Sequence, residues 1–465
     1  MSVPPDLGTM FVRLSMEDAG FTPRVRDAYM RLVRDAHRAL DETAVPREGR
    51  RVWIVPGRIE VLGKHVDYAG GRSLLCTVQR GIVIVARAHD ERTLVLRDAR
   101  RRESLTVPFD GPPQAALPWT VYPKTVLHRL QLNFADAVRG ADIAIASNLP
   151  PAAGVSSSSA LVVGLTLALS ALSDLPAQQA WKDSIPDRLA LAGYAGALEN
   201  GIGFRGLPGE LGVGTMGGAQ DQTAILCCAP GQVDVFAWSP VRHERTVPWP
   251  AGYSFVIGVS GVVAAKTGAA KERYNRAART VHLLVHLWNQ QGGSARTLAN
   301  VFEQASGVPD PAAVPDVLLA LAKAGGDDEF SGDHLQRRLR QFHDETYRLV
   351  PGAADALARG ALADFGSLVA ASQLGAERAL ENQITETVSL VRLARELGAV
   401  ASSAFGAGFG GSVWAMVPTA DADRFANSWR DRYGEAHRGP GRRAQFFSTE
   451  PSAPAFELRG GGLQP

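Results

Sequence analysis

Cysteine is scarce: Cys76, Cys227 and Cys228 are the only three in 465 residues. So few, so unevenly spaced, cannot make a disulfide framework or a zinc site, and a reducing compartment fits best. An excess of charge is also lacking. Lys and Arg number 49 against 47 Asp and Glu, a net charge of +2, which leaves no electrostatic footprint for nucleic acid or an anionic membrane. Any phosphate site must therefore be local. No apolar run approaches the ~20 residues of a membrane span, and the opening MSVPPDLGTMFVRLSMEDAG lacks the basic start and apolar core of a secretory signal. The expectation is a cytoplasmic protein with no nucleic-acid and no membrane partner.

What is present is an ordinary folded composition, 45% hydrophobic and 21% charged, in a chain long enough for two or three packed units. Residues 22–44 have helical apolar spacing. Short β-branched runs at 51–56, 81–88, 93–98 and 141–147 read as strands, and the HDER between the second and third suggests a hairpin. A helix is expected over 119–134. From Ser157, SSSALVVGLTLALSALSDL is too long for a strand and apolar on nearly every face, which predicts a buried helix. Another helix is expected over 187–200, strands at 233–238 and 253–259, and helices through most of 268–398. Strands near 399–403, 412–417 and 443–448, with a helix at 420–432, close the chain. The loose alternation lacks a doubly wound rhythm, so the class is α+β. Segments 201–218 and 306–333 read as surface insertions, and RGGGLQP as a frayed tail.

Three glycine-rich strings invite a nucleotide-loop reading, and each is weak. Gly57 and Gly63 before Lys64 are one residue too far apart for a Walker loop, and His65 stands where Ser or Thr belongs. Gly406, Gly408 and Gly411 are followed by a strand rather than a helix. Gly212, Gly214 and Gly217 follow no buried strand. PPAAGVSSSSALVVGL, from Pro150, is more telling, because a row of hydroxyls opens an apolar helix. Free N–H groups at a helix start make an anion site, although the serines equally fit an ordinary cap. VPGRIEVLGKHVDYAGGRSLL gathers Arg58, Lys64, His65 and Asp67 between two turn signals, as a loop-built pocket or a charged hairpin would. Asp221 precedes an apolar helical run and could simply favour its start. Glu199 ends a helix, where a carboxylate is disfavoured unless a cation compensates.

Taken in order, these segments resemble the GHMP superfamily of small-molecule kinases, and within it the galactokinase branch. The family's GRVNLIGEHTDYNGG stands here as GRIEVLGKHVDYAGG, its PxGGGLSSSAS as PPAAGVSSSSA, its GGGFGG as GAGFGG, and its MDQ element as QDQ from Gln220. The resemblance implies a two-lobed fold, with an N-terminal lobe of mixed sheet and helices over 1–245 and a ferredoxin-like lobe over 246–440. Residues 441–465 would return to the first lobe. It implies ATP and Mg2+, with Asp221 as base and Arg58 as the cation beside it. Ser158 and Glu199 would hold magnesium. Pro151, Gly154, Val155 and Ser156, Ser157, Ser158 and Ser159 would bind the nucleotide. Lys64, His65, Asp67, Tyr274, Gly408 and Gly410 would lie on the sugar side. The implied activity moves the γ-phosphoryl group of ATP to a monosaccharide hydroxyl, first the anomeric hydroxyl of galactose or a related sugar. A uronic acid, arabinose or amino sugar, or a sugar sensor with weak turnover, are the alternatives. The partners are the sugar and ATP, in a monomer or homodimer.

The departures fall mainly in the sugar motif. Lys64 replaces a glutamate that usually meets a sugar hydroxyl, inverting the hydrogen-bond polarity there, and Ala69 replaces an asparagine. Lys64 either selects an acceptor-bearing or negatively charged sugar, or turns out to solvent and leaves His65 and Asp67 to hold galactose. Ala152 and Ala153 replace loop glycines and resist positive φ. The extra residues around FRGLPGEL would lie near the cleft, as a lid.

Overall fold

The stretch RVWIVPGRIEVL is buried almost throughout, which requires a strand covered on both faces. In the computed structural model it is β2, Arg51–Leu62. The structure describes residues 13–111, 117, 119–151, 153–262 and 268–459, except the side chains of 268–271. The N-terminal 12 residues, Ala152 and residues 460–465 of the expected tail lie outside the described residues.

The described strands are β1 (Arg13–Leu14), β2, β3 (Arg72–His89), β4 (Thr93–Asp98), β5 (Glu103–Pro108), β6 (Gly140–Ser147), β7 (Gln232–Trp238), β8 (Val241–Pro248) and β9 (Tyr253–Val259), then β10 (Ala401–Phe405), β11 (Ser412–Pro418), β12 (Gln445–Thr449) and β13 (Phe456–Leu458). Among the described residues a nine-stranded sheet runs β1-β13-β2-β3-β6-β4-β5, with β7 on β3 and β8 on β7. The expected hairpin of 81–88 with 93–98 does not form. β6 lies between the two, antiparallel to β3 and parallel to β4, and β4 makes its hairpin with β5 instead.

Alternate residues of β2 go to opposite faces. Val52 and Ile54 meet Val25, Tyr29, Leu32 and Ala36 of the helix Pro23–Asp41. Trp53 and Val55 face the core that holds Leu161, Val162 and Leu165 of the helix Ser157–Leu172. The latter helix is apolar all round because sheet and helices enclose it. β9, β10, β11 and β12 form a separate antiparallel sheet, ordered β10-β11-β9-β12. The helices Thr385–Glu396 and Ala422–Ala436 cover one of its faces. The chain then leaves β12 and ends in β13, antiparallel to β2 of the larger sheet.

β2 passes through Pro56 and Gly57, read from the sequence as turn signals. Register shifts on either side of the stretch Arg58–Glu60 absorb the irregularity without ending the strand. Gly57 is needed for close approach. A Cβ there would stand 2.7 Å from the Val155 carbonyl oxygen and 2.8 Å from Leu149 Cδ2. Gly57→Ala should therefore destabilise the fold by about 1–3 kcal/mol, measured by urea unfolding.

Candidate active site

Arg58 and Glu60 sit two residues apart in the regular part of β2, opposite Thr77 and Leu75, and so project from the same face. Arg58 is buried and forked. Its Nε donates to Asp221 Oδ1 at 2.8 Å, one terminal nitrogen lies 2.7 Å from the same oxygen, and the other donates to the Gly154 carbonyl at 2.6 Å. One guanidinium thus ties β2, the serine-rich loop and the start of the helix Gln220–Cys227 together.

Asp221 is equally engaged. Its Oδ2 accepts from the Ser156 hydroxyl at 2.6 Å, and Ser159 Oγ lies 3.3 Å away. Ser156 precedes the helix Ser157–Leu172 with φ +59° and ψ +42°, left-handed backbone that costs a non-glycine residue roughly 1–2 kcal/mol. It stands at the N-cap position, but its side chain does not cap the helix. Its hydroxyl goes to Asp221, and the first N–H groups of the helix stay available to an anion.

Two cavities meet at this ion pair. The larger, about 1540 Å³, is lined by Pro151, Gly154 and Ser156, Ser157 and Ser158, with Trp119 and Tyr122 further out. The smaller, about 40 Å³, is lined by Glu60, His65, Asp67, Glu199, Gln222 and Tyr274 among others. Arg58 and Asp221 belong to both. A space of that size holds little more than water, so a larger ligand must displace a wall. The segment 213–218 forms part of that wall, and Asn200 and Asn275 pin it to neighbouring helices by bonds to Gly217 and to Gly214 and Met216.

The smaller cavity is rich in acceptors. Asp67 Oδ2 accepts from the backbone of Gly218 at 3.1 Å, a contact that needs a residue without Cβ, since one would stand 2.4 Å from that oxygen. His65 is held at φ +56°. Its Nε2 donates to the Ala407 carbonyl at 3.1 Å, which leaves Nδ1 to accept from the Tyr68 hydroxyl at 2.9 Å. Burial, then the Arg338 cation, pushes its pKa down to about 4, so the ring is neutral, and it lies tilted against Tyr274 with ring centres 5.2 Å apart. Burial raises the Tyr274 phenol well above its usual value, and the carboxylates of Asp67, Asp221 and Glu199 add to the effect. Negative charge therefore converges here.

Glu199 is buried. Its Oε2 accepts from Ser159 at 3.0 Å and from Gln222 Nε2 at 2.6 Å. Ser159 has one proton, yet carboxylate oxygens of Glu199 and Asp221 both lie within bonding reach of it. Hard oxygen donors crowded in this way fit a small divalent cation. Ser158 faces the larger cavity.

Several residues stand elsewhere than the sequence suggested. Lys64 neither turns to solvent nor lines the smaller cavity. It is 1% exposed, with Nζ 3.2 Å from Ser372 Oγ, and Ser372 in turn donates to Glu345. The cause is packing: Gly63 N–H also reaches Glu345, and helices of the C-terminal half close over the turn. Ala69 is buried among Val281, Leu298 and Phe342, so its replacement of a polar residue leaves the cavity untouched. Gly408 and Gly410 line the larger cavity, Gly406 the smaller, and Ala407 both. Ser159 is buried behind Asp221 rather than on the larger cavity, and Val155 enters the core, contributing only its carbonyl, which accepts from Arg58 N–H at 3.3 Å. Glu60 and Gln222 were not anticipated. The available signal was a charge at the second residue after Arg58 in an apolar strand.

Comparison with known proteins agrees with this geometry. Residues 121–203 match the GHMP kinases N terminal domain and residues 353–435 the GHMP kinases C terminal domain, so the protein is a two-domain, α+β small-molecule kinase. Residues 42–88 match the galactokinase galactose-binding signature. Galactokinase of Pasteurella multocida (strain Pm70) is 26% identical over 385 residues, 82% of this chain and 88% of that one. Galactokinase of Halalkalibacterium halodurans is 25% identical over 417 residues, 88% and 93% of the two chains. In fold, the chain is similar to Lactococcus lactis galactokinase complexed with galactose, with TM-score 0.73 and 21% identity, covering 91% of this chain and 98% of that one. The enzyme is a sugar kinase that uses a nucleotide substrate. No helix among the described residues is long and apolar enough to cross a membrane.

Proposed function

We propose that the protein transfers the γ-phosphoryl group of ATP to the anomeric hydroxyl of galactose. The observation that carries this reading is the Arg58–Asp221 pair standing where the two cavities meet. The larger cavity takes the nucleotide, its phosphates at the open helix start of Ser157 and Ser158. The smaller, once widened, takes the sugar, among the acceptors of Asp67 and Gln222 that a donor-rich polyol suits. Asp221 accepts the proton of the attacking hydroxyl, and Arg58 holds that carboxylate and stabilises charge building on the transferring group. Ser156 keeps Asp221 Oδ2 aimed at the junction.

Ser158 and Glu199 would hold Mg2+, which supplies positive charge against the phosphates. Glu199→Gln or Ser158→Ala should raise the Mg2+ concentration for half-maximal rate by roughly 10- to 100-fold, with the sugar KM moving much less. A change confined to the sugar KM would refute the assignment. The substrate itself is tested by ADP release with galactose, glucose, arabinose, galacturonate and galactosamine. Galactose should give the highest kcat/KM. The fold, the balanced charge and the scarcity of cysteine support a cytoplasmic enzyme.

A further inference from the structure

Glu60 is 2% exposed and lines the smaller cavity, yet the mechanism above leaves it without a task. Its surroundings are directional. Trp238 Nε1 donates to Ser73 Oγ at 3.0 Å, so the Ser73 proton is free to go to Gln220 Oε1 at 2.6 Å. That fixes the Gln220 amide, whose Nε2 then donates to Glu60 Oε2 at 2.6 Å. The chain ends there, because Glu60 Oε1 is buried with no hydrogen-bond partner. A buried acceptor left unpaired is costly unless something arrives to meet it.

Its position is equally specific. Arg58 bonds Asp221, and two residues along the same strand face Glu60 bonds Gln220, the neighbour of Asp221. The two contacts are successive rungs between β2 and the start of one helix. A ligand hydroxyl held by Glu60 would therefore sit beside the reacting one. Burial raises the Glu60 carboxyl to about 7, with Lys64 and then Arg58 drawing it back, so it is an ionised acceptor above that value. In the motif strings the carboxylate has moved from position 64 to position 60, and the lysine now at 64 is buried, with its Nζ on Ser372.

Resting on the sugar-kinase reading, we propose that Glu60 reads the acceptor: its Oε1 accepts a hydrogen bond from a sugar hydroxyl neighbouring the phosphorylated one. Lys64, with its Nζ on Ser372, does not touch the sugar.

The test is kinetic, at pH 8, on galactose and its monodeoxy analogues. In Glu60→Gln, the fixed Gln220 donor holds the new amide oxygen, and an NH2 group replaces the acceptor. The variant should lose roughly 10- to 100-fold in kcat/KM on galactose, a charged hydrogen bond's worth, mostly through KM, with the ATP KM and thermal midpoint unchanged. One monodeoxy sugar should lose a similar factor with the native enzyme and almost none further with the variant. Losses that multiply independently for every analogue, or an unchanged kcat/KM, would overturn the proposal. Should Glu60→Gln unfold, the double exchange Glu60→Asn with Lys64→Glu, which restores the family arrangement, takes its place and should recover galactose turnover while changing the analogue profile. An unchanged profile in that variant counts against Glu60. If the native enzyme phosphorylates no sugar, the kinase reading fails by itself. Calorimetric galactose binding, weakened by Glu60→Gln or not, then decides the role of Glu60, and no binding by either protein overturns it.

Discussion

Asp221→Asn should lower kcat by roughly 10²- to 10⁴-fold while the KM for ATP stays near its native value. Asparagine keeps the size of the side chain, its oxygen can still accept from Arg58 Nε, and its NH2 group, in the place of Oδ2, can donate to Ser156 Oγ, so the junction of the cavities keeps its shape. What it loses is the ability to take a proton. A loss shared equally by kcat and ATP affinity would mean that Asp221 holds the loop rather than the proton. Stopped-flow or steady-state kinetics beside direct nucleotide titration separates the two.

Arg58→Met should cost both rate and stability. Removing the guanidinium abolishes two contacts to Asp221 and the bond to the Gly154 carbonyl, leaving a carboxylate 14% exposed without its cation. Breaking one side of such a pair costs about 3–5 kcal/mol, and losing the charge at the transfer point should lower kcat by about 10²- to 10³-fold. Arg58→Lys divides these effects. A lysine restores positive charge but has no fork, so it cannot span Asp221 and Gly154 together. Stability should return in large part while kcat stays low. Full kinetic recovery in Arg58→Lys would show that the fork has no part in catalysis.

The residues of this pair were legible in the sequence, but their partnership was not. Asp221 and Arg58 are 163 positions apart, and what suggested them was the agreement of three short motifs in order rather than either residue's own surroundings. The helix Ser157–Leu172 was readable because an apolar run of that length has few other solutions, and Arg188–Asn200 ended where Gly201 adopts the left-handed cap. Local signals misled where pairing was remote. Pro56 and Gly57 carry turn chemistry, yet β2 runs through them because Val155 packs on the glycine. The apparent hairpin of β3 and β4 gave way to β6, whose partners lie some 50 residues upstream. Lys64 shows the limit most plainly. A lysine beside two turns reads as solvated, and what buries it are Ser372 and Glu345, about 300 residues further on, which no local pattern announces.

The most direct test is the product. The purified enzyme is incubated with ATP, Mg2+ and galactose, and the sugar product is examined by phosphorus-coupled proton and carbon NMR. The account predicts one sugar phosphate, formed in equal amount with ADP, with phosphorus coupling at carbon 1. Coupling at another carbon would contradict the proposed acceptor hydroxyl. Galactose and ATP bound without ADP or sugar phosphate would contradict the kinase itself and leave a sensor.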